Sequence, residues 1–192
     1  MTNSTMTDPT IRNGVNVDDL LGAIAAVTED AANGRLRFSV SSKWLGGFQA
    51  RHSLGSYSVG GQEGTHATDH SLVSDEPVEI LGTDAGISPA ELILSSLAAC
   101  FAVGYAANAA ALGIELDDLT IDVVGDGSLE GFMNIRDTRP GLESIAVNVN
   151  VQTSAPAEAV EELHAFVEDH SPIWDTICNP VSITSRVNVR SS

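Results

Sequence analysis

Lysine is nearly missing from this chain. Only Lys43 is lysine among nine basic residues, against 26 acids, and the formal net charge is −17 over 192 residues. A surface this negative repels phosphate backbones and anionic lipid headgroups, which argues against nucleic acid or a lipid surface as partner. Cysteine is equally scarce. Cys100 and Cys178 alone are too few for a disulfide scaffold or a zinc ribbon. There is no Walker loop, dinucleotide fingerprint or nucleophile elbow, and no internal repeat or low-complexity tract. Met1 to Asn13 is polar without an apolar core segment, so no secretory leader is expected and the expected location is the cytoplasm. What is present is a globular composition, 43% hydrophobic and 18% charged, long enough for a sizeable core.

One stretch tests the membrane question. Leu92 to Ile114 carries no charge and is long enough to span a bilayer. It is rich in Ala, Ser and Gly, however, and acids flank it (Glu91 before; Glu115, Asp117 and Asp118 after) without a Lys or Arg anchor. A helix apolar all round also suits the centre of a soluble core. The expectation is a core helix and no membrane.

Residues 1–16 read as a mobile arm. Leu20, Leu21, Ile24 and Val27 recur at helical spacing and predict a helix over Val17–Ala32. Alternation predicts strands over Arg35–Trp44 and Phe48–Val59, joined at Gly46-Gly47. A loop follows at Gly60–Gly64, then an extended stretch over His66–Leu81. Ser88 as cap, Pro89 at the first helical position and Glu91 three residues after the cap predict a helix start. Gly113 predicts its stop after Leu112. Further strands are predicted at Leu119–Val124, Gly131–Asp137 and Ile145–Gln152. A helix over Pro156–Asp169, a helical turn from Ser171-Pro172 to Ile177 and a last strand over Val181–Val189 complete the order. Strand runs broken by single helices indicate an α+β fold with antiparallel sheets. One domain over 35–192, with 1–34 as an N-terminal arm and short helix, is the expected organisation.

Cys100 lies about three turns into the long helix. Two readings stand: a small hydrophobe packed in a core, or a reactive thiol, which needs a cation or several donors beside it. The helix dipole gives little at that depth, so activation requires a partner from elsewhere in the fold. Ser96 and Gly104, each four residues away, share its face. His52 adjoins Arg51, His66 and His70 lie in loop and strand, and His164 and His170 sit on or after a solvated helix. No metal site is expected from these spacings.

The segment Asp84 to Phe101, DAGISPAELILSSLAACF, resembles the cysteine-helix signature of the OsmC/Ohr family, the osmotically induced and organic-hydroperoxide-resistance proteins. Ser74-Asp75-Glu76-Pro77 before Leu81-Gly82 is similar to a lead-in of the OsmC-like branch. Arg139-Pro140-Gly141-Leu142 resembles the family's second half. Ser171-Pro172-Ile173-Trp174-Asp175-Thr176-Ile177 with Asn179-Pro180-Val181 resembles its C-terminal element. These motifs fall in the family's order over roughly residues 35 to 190.

The resemblance implies an intertwined homodimer, with antiparallel sheets wrapped around long central helices. It implies a thiol peroxidase that reduces small organic hydroperoxides and is restored by a dithiol, with no metal or organic cofactor. Cys100 matches the peroxidatic position. Arg51, in the early hairpin, is the best match to the arginine that stabilises the thiolate, and Arg37 is the reserve. Two positions depart from the pattern. The carboxylate that follows the helix-opening proline is replaced by Ala90; Glu91 is present, half a turn out of phase with Cys100. The resolving cysteine is replaced by Ser171, leaving Cys178, seven residues on, as a displaced resolver or a packed thiol. The expected function is reduction of organic hydroperoxides through Cys100 with an external thiol as reductant. The alternative is a non-peroxidase binding protein of the same fold, with a small-molecule pocket at the dimer interface.

Overall fold

The computed structural model describes residues 9–190. The chain begins with two short strands, β1 (Ile11–Arg12) and β2 (Val15–Asn16), paired antiparallel. Helix α1 (Val17–Glu29) starts from Asn16, whose side chain accepts from Asp18 N and Asp19 N. A 3-10 turn, Ala31–Gly34, succeeds it where the sequence pattern extends the helix to Ala32. Strands β3 (Leu36–Gly46) and β4 (Gln49–Val59) form a long hairpin. β5 (Gln62–Gly64) and β6 (Ser71–Ser74) both pair with β4, completing a four-stranded antiparallel sheet.

Helix α2 (Pro89–Leu112) starts with a complete capping box: Glu91 N donates to Ser88 Oγ and Ser88 N donates to Glu91 Oε2. It stops at Gly113, whose φ of +80° is a left-handed conformation that favours glycine. Strand β7 (Asp118–Gly127), a one-turn helix α3 (Leu129–Phe132) and strand β8 (Leu142–Gln152) follow, with β7 and β8 paired antiparallel as a second sheet. Helices α4 (Ala157–His170) and α5 (Pro172–Cys178) close the regular structure. The fold is α+β with antiparallel sheets.

The core lies between α2, α4 and the β7–β8 hairpin. Leu97, Phe101, Tyr105 and Ala109 of α2 meet Leu163 and Val167 of α4, flanked by Ile121, Val123, Val147 and Val149 from the strands. Each large side chain contributes roughly 1.5–3 kcal/mol by leaving water. Gly104 lets the two helices approach: a Cβ there would lie 3.0 Å from Val167 Cγ1.

Several expectations are corrected. The arm is anchored over 11–16: Arg12 Nη1 donates to Ala110 O, Asn13 Nδ2 donates to Ile114 O, and Leu116 N donates to Asn13 Oδ1. Of the rest of the predicted arm, residues 1–8 lie outside the described residues. Gly60–Gly64 is not wholly loop, because β5 pairs there. Within His66–Leu81 only Ser71–Ser74 is strand; Val78–Ile80 is a 3-10 turn after Pro77. Gly131–Asp137 is not a strand. Ser128 Oγ accepts from Glu130 N and starts α3, Asn134 turns the chain at φ 54°, and Arg136 pairs with Glu130 at 3.2 Å. The Val181–Val189 strand does not form within one chain. That stretch runs without a ladder partner among the described residues, and a strand needs a neighbour to satisfy its backbone groups.

That tail and the first hairpin share an unusual property. Phe38 is 70% exposed, Trp44 73% and Val187 87%, and Leu36, Val40, Ile183 and Val189 are also open. The chain exposes 14465 Å², where a compact chain of its mass would expose about 8,700 Å². The hairpin packs mainly on itself and on β5 and β6.

Candidate functional site

Cys100 is half-buried on α2, beside the buried pair Leu97 and Phe101. Its sulfur has one polar partner among the described residues: Ser171 Oγ, which donates to Sγ at 3.2 Å. Ser171 is the hinge between α4 and α5, ending the first and capping the second. Its hydroxyl accepts from Trp174 N at 3.3 Å while donating to the sulfur. Ser171 is 5% exposed. The ring of Trp174 lies 5.7 Å from that of Phe101, an aromatic contact that fixes α5 against α2. The serine and the cysteine, 71 positions apart, are therefore brought together by the core itself.

The other expected residues are dispersed. Arg51 is exposed on β4, in register with Lys43 on β3 and Val73 on β6, and makes no hydrogen bond or ion pair among the described residues. Within one chain it is not brought to Cys100. Arg37 stands on β3, opposite Ser58. Ala90 is exposed in the first turn of α2. Glu91 is occupied by the capping box, and the Ser88 backbone N–H holds its carboxyl below the usual range. It lines a groove of about 680 Å³ with Leu94, Ala98, Ile121 and Val123. At 100° per residue that is the side of α2 away from Cys100. Cys178 is exposed on the last turn of α5 and lines a different cleft, of about 390 Å³, with Trp174, Glu168 and Asp175. No cluster of three or more potential metal-ligating side chains occurs among the described residues.

Three polar arrangements went unread in the sequence. Asp75, buried, precedes the loop into α2: its Oδ2 accepts from Thr83 Oγ1 at 2.5 Å and from the N–H groups of Thr83 and Ala85, and its Oδ1 from Glu76 N. The Thr83 hydroxyl leads these donors in holding the carboxyl well below the usual range, against the opposing effect of burial. The only sequence signal was its place in Ser74-Asp75-Glu76-Pro77. His52 contacts Ser42 through Nδ1 and Ser74 through Nε2, both at 2.8 Å, tying β4 to its two neighbours. The third links the helices. Tyr105 OH lies 2.7 Å from His164 Nδ1, and His164 Nε2 lies 3.4 Å from Glu168 Oε1. Glu168 can only accept, so it faces a hydrogen on Nε2, and in that neutral tautomer the tyrosine is the donor to Nδ1. The spacing of His164 and Glu168, four apart, was the available signal.

Helix α2 is long and apolar enough to cross a membrane by length and composition. In this fold it is the helix against which α4 and β7 pack.

No curated protein matches this sequence. Solved structures do. An OsmC-like protein from Mycoplasma pneumoniae is 21% identical, with a TM-score of 0.55 over 75% of this chain and 89% of its own. An organic hydroperoxide resistance protein OsmC from Legionella pneumophila is 17% identical, with a TM-score of 0.51 over 72% of this chain and 88% of its own. An OsmC-like protein from Vibrio cholerae is 12% identical, with a TM-score of 0.51 over 73% and 92%. At these identities the likeness is one of fold. The family model for OsmC-like protein matches residues 82–186, which include Cys100, Ser171 and everything between them. The chain belongs to the OsmC-like family.

Proposed function

We propose that this protein reduces small organic hydroperoxides through Cys100, with an external thiol, best a dithiol, as reductant. The observation that carries the reading is a half-buried thiol on the central helix of an OsmC-like fold, with a buried hydroxyl aimed at its sulfur. The hydroperoxide resistance protein from Legionella pneumophila shares this fold. In the proposed reaction the Cys100 thiolate attacks one peroxide oxygen. An S–O bond forms, the O–O bond breaks, the sulfur loses two electrons as sulfenic acid, and the peroxide leaves as alkoxide and takes a proton to become the alcohol. A thiol then displaces water to give a mixed disulfide, and a second thiol releases Cys100 as thiol. The balance calls for no metal or organic cofactor.

Two parts of the reading concern assembly. The exposed faces of the β3–β4 hairpin and of residues 181–189 fit a homodimer in which each chain covers the other, since obligate interfaces bury several thousand Å². Arg51 and Lys43 face one another across the hairpin as like charges, an arrangement that is unfavourable without an anion nearby. In the dimer we propose, the hairpin closes over Cys100 of a second copy and Arg51 holds its thiolate. Two free cysteines suit a reducing compartment, which agrees with a cytoplasmic site of action.

The test is consumption of an alkyl hydroperoxide with a small dithiol, in wild type and Cys100→Ser. Loss of turnover in the variant supports the reading, and equal rates end it. A second reading, a binding protein of the same fold without peroxidase chemistry, draws on Glu91 being engaged in a cap rather than at the sulfur. It requires both proteins to be inactive.

A further inference from the structure

We propose that Ser171 is the hydrogen-bond donor that holds the Cys100 sulfur in its thiolate and, after oxidation, its sulfenate form. The assignment rests on the peroxidase reading above for its consequence in turnover, and on geometry for the contact itself.

A serine hydroxyl has one proton and two lone pairs. At Ser171 the backbone N–H of Trp174 takes up accepting capacity, because an N–H can only donate. The serine's own proton is left to point elsewhere, and Cys100 Sγ stands 3.2 Å away to receive it. The hydroxyl cannot easily swing out. Ser171 N donates to Glu168 O and Asp175 N donates to Ser171 O, so the residue is tied on both sides of its peptide. Pro172 follows with its fixed φ. At 5% exposure, water competes poorly for the donor. A hydrogen bond strengthens when its acceptor is charged, so the contact favours the thiolate over the thiol, and the sulfenate oxygen after attack.

The same residue sets the fate of the oxidised state. A hydroxyl cannot form a disulfide, so the sulfenic acid on Cys100 faces a donor rather than a resolving thiol. Cys178 lines a separate cleft. The oxidised sulfur is therefore returned by an incoming thiol, through the mixed disulfide described above.

The experiment uses the full chain with Ser171→Gly and Ser171→Thr. Glycine removes the hydroxyl yet is tolerated as a helix cap; threonine keeps both hydroxyl and cap. The readout is peptide-resolved alkylation of Cys100 by iodoacetamide across pH, beside hydroperoxide consumption. Ser171→Gly should slow alkylation at neutral pH roughly tenfold, the strength of a hydrogen bond to a charged group, and slow hydroperoxide consumption with it. Ser171→Thr should restore both. A glycine variant that folds and keeps the wild-type profile overturns the proposal. Slower alkylation in Ser171→Gly, beside a wild-type protein that consumes no peroxide, keeps the Ser171 contact and removes the peroxidase reading. Should the glycine variant fail to fold, Ser171→Cys treated with one equivalent of peroxide decides. Loss of two hydrogens by mass, with Cys100 and the introduced thiol blocked to alkylation and Cys178 still open, supports the contact. Independent alkylation of Cys100 and the introduced thiol overturns it.

Discussion

The two halves of the molecule solve the same problem in opposite ways. From α2 onward, apolar residues face one another inside the chain: Phe101 and Leu97 against Leu163 and Val167, with the β7–β8 hairpin alternating apolar positions toward them. Before α2, the β3–β4 hairpin has equally apolar residues at alternating positions and leaves them in water. The tail repeats the pattern at Val181, Ile183, Val187 and Val189. Sequence alternation is the same in both halves, but only one half supplies its own opposing layer. Hydrophobic patterning therefore reports an apolar face, not whether the same chain covers it.

The largest effect that sharpens this contrast is Phe101→Ala. Phe101 is fully buried, and truncating such a residue costs about 3–5 kcal/mol. Denaturant titration should show the midpoint falling with little change in slope. Truncating Phe38, 70% exposed in the single chain, should by contrast leave an isolated monomer within about 0.5 kcal/mol of wild type.

The dimer proposal predicts a different outcome for the same face in solution. Phe38→Ser combined with Val187→Ser should move the sedimentation coefficient to that of a monomer, since interface anchors lose about 2 kcal/mol or more on truncation. Unchanged sedimentation would show that this exposed face is not what holds two copies together.

The sequence told part of this story. Ser88, Pro89, Glu91 and Gly113 define both ends of α2, because caps and stops are local and act through adjacent backbone groups. The alternation of the first hairpin is likewise local. The Gly131–Asp137 strand failed because Met133 and Ile135 alternate without a third strand beside β7 or β8, while Ser128 starts a helix instead. The tail failed for the complementary reason, having the pattern without a partner in its own chain. At the site, Cys100 and Ser171 could be named individually from the resemblance. Their contact depends on how α4 and α5 dock on α2, and no spacing in the sequence carries that. Asp75 was legible as a motif letter only; its role depends on Thr83 and Ala85 curling back over it.

Asp75 extends the comparison to acid. It lies between the halves, after β6 and before α2, with its carboxyl held below the usual range mainly by Thr83. A depressed carboxyl contributes stability that is fully present above its unfolded pKa, near 4, and is lost as pH falls through its lower folded value. Wild type should therefore lose stability below about pH 4, and Asp75→Asn should lose less over the same acid range while being weaker at neutral pH. Melting curves from pH 7 downward check both. Parallel curves for the two proteins would mean that the loop does not couple to global stability.

The smallest effect tests the α2–α4 contact at the opposite end of the pH scale. Tyr105 is buried and hydrogen-bonded to His164, and burial, assisted by Glu168, pushes its phenol up to about 12 from 10. A raised group contributes stability that is fully present below its unfolded value and disappears as pH rises through its folded one. Between pH 10 and about 12, then, the wild-type chain should weaken as the unfolded phenol ionises first. Tyr105→Phe keeps the ring in the core and removes only the hydroxyl, so at neutral pH it should cost about 0.5–1.5 kcal/mol, the net worth of one hydrogen bond. Its deficit should shrink across the alkaline window, because phenylalanine does not titrate. Paired melting curves at pH 8 and pH 11 suffice. A deficit that stays constant would place the tyrosine proton outside the energetics that hold α4 to α2, leaving ring packing alone as the bond between the two helices.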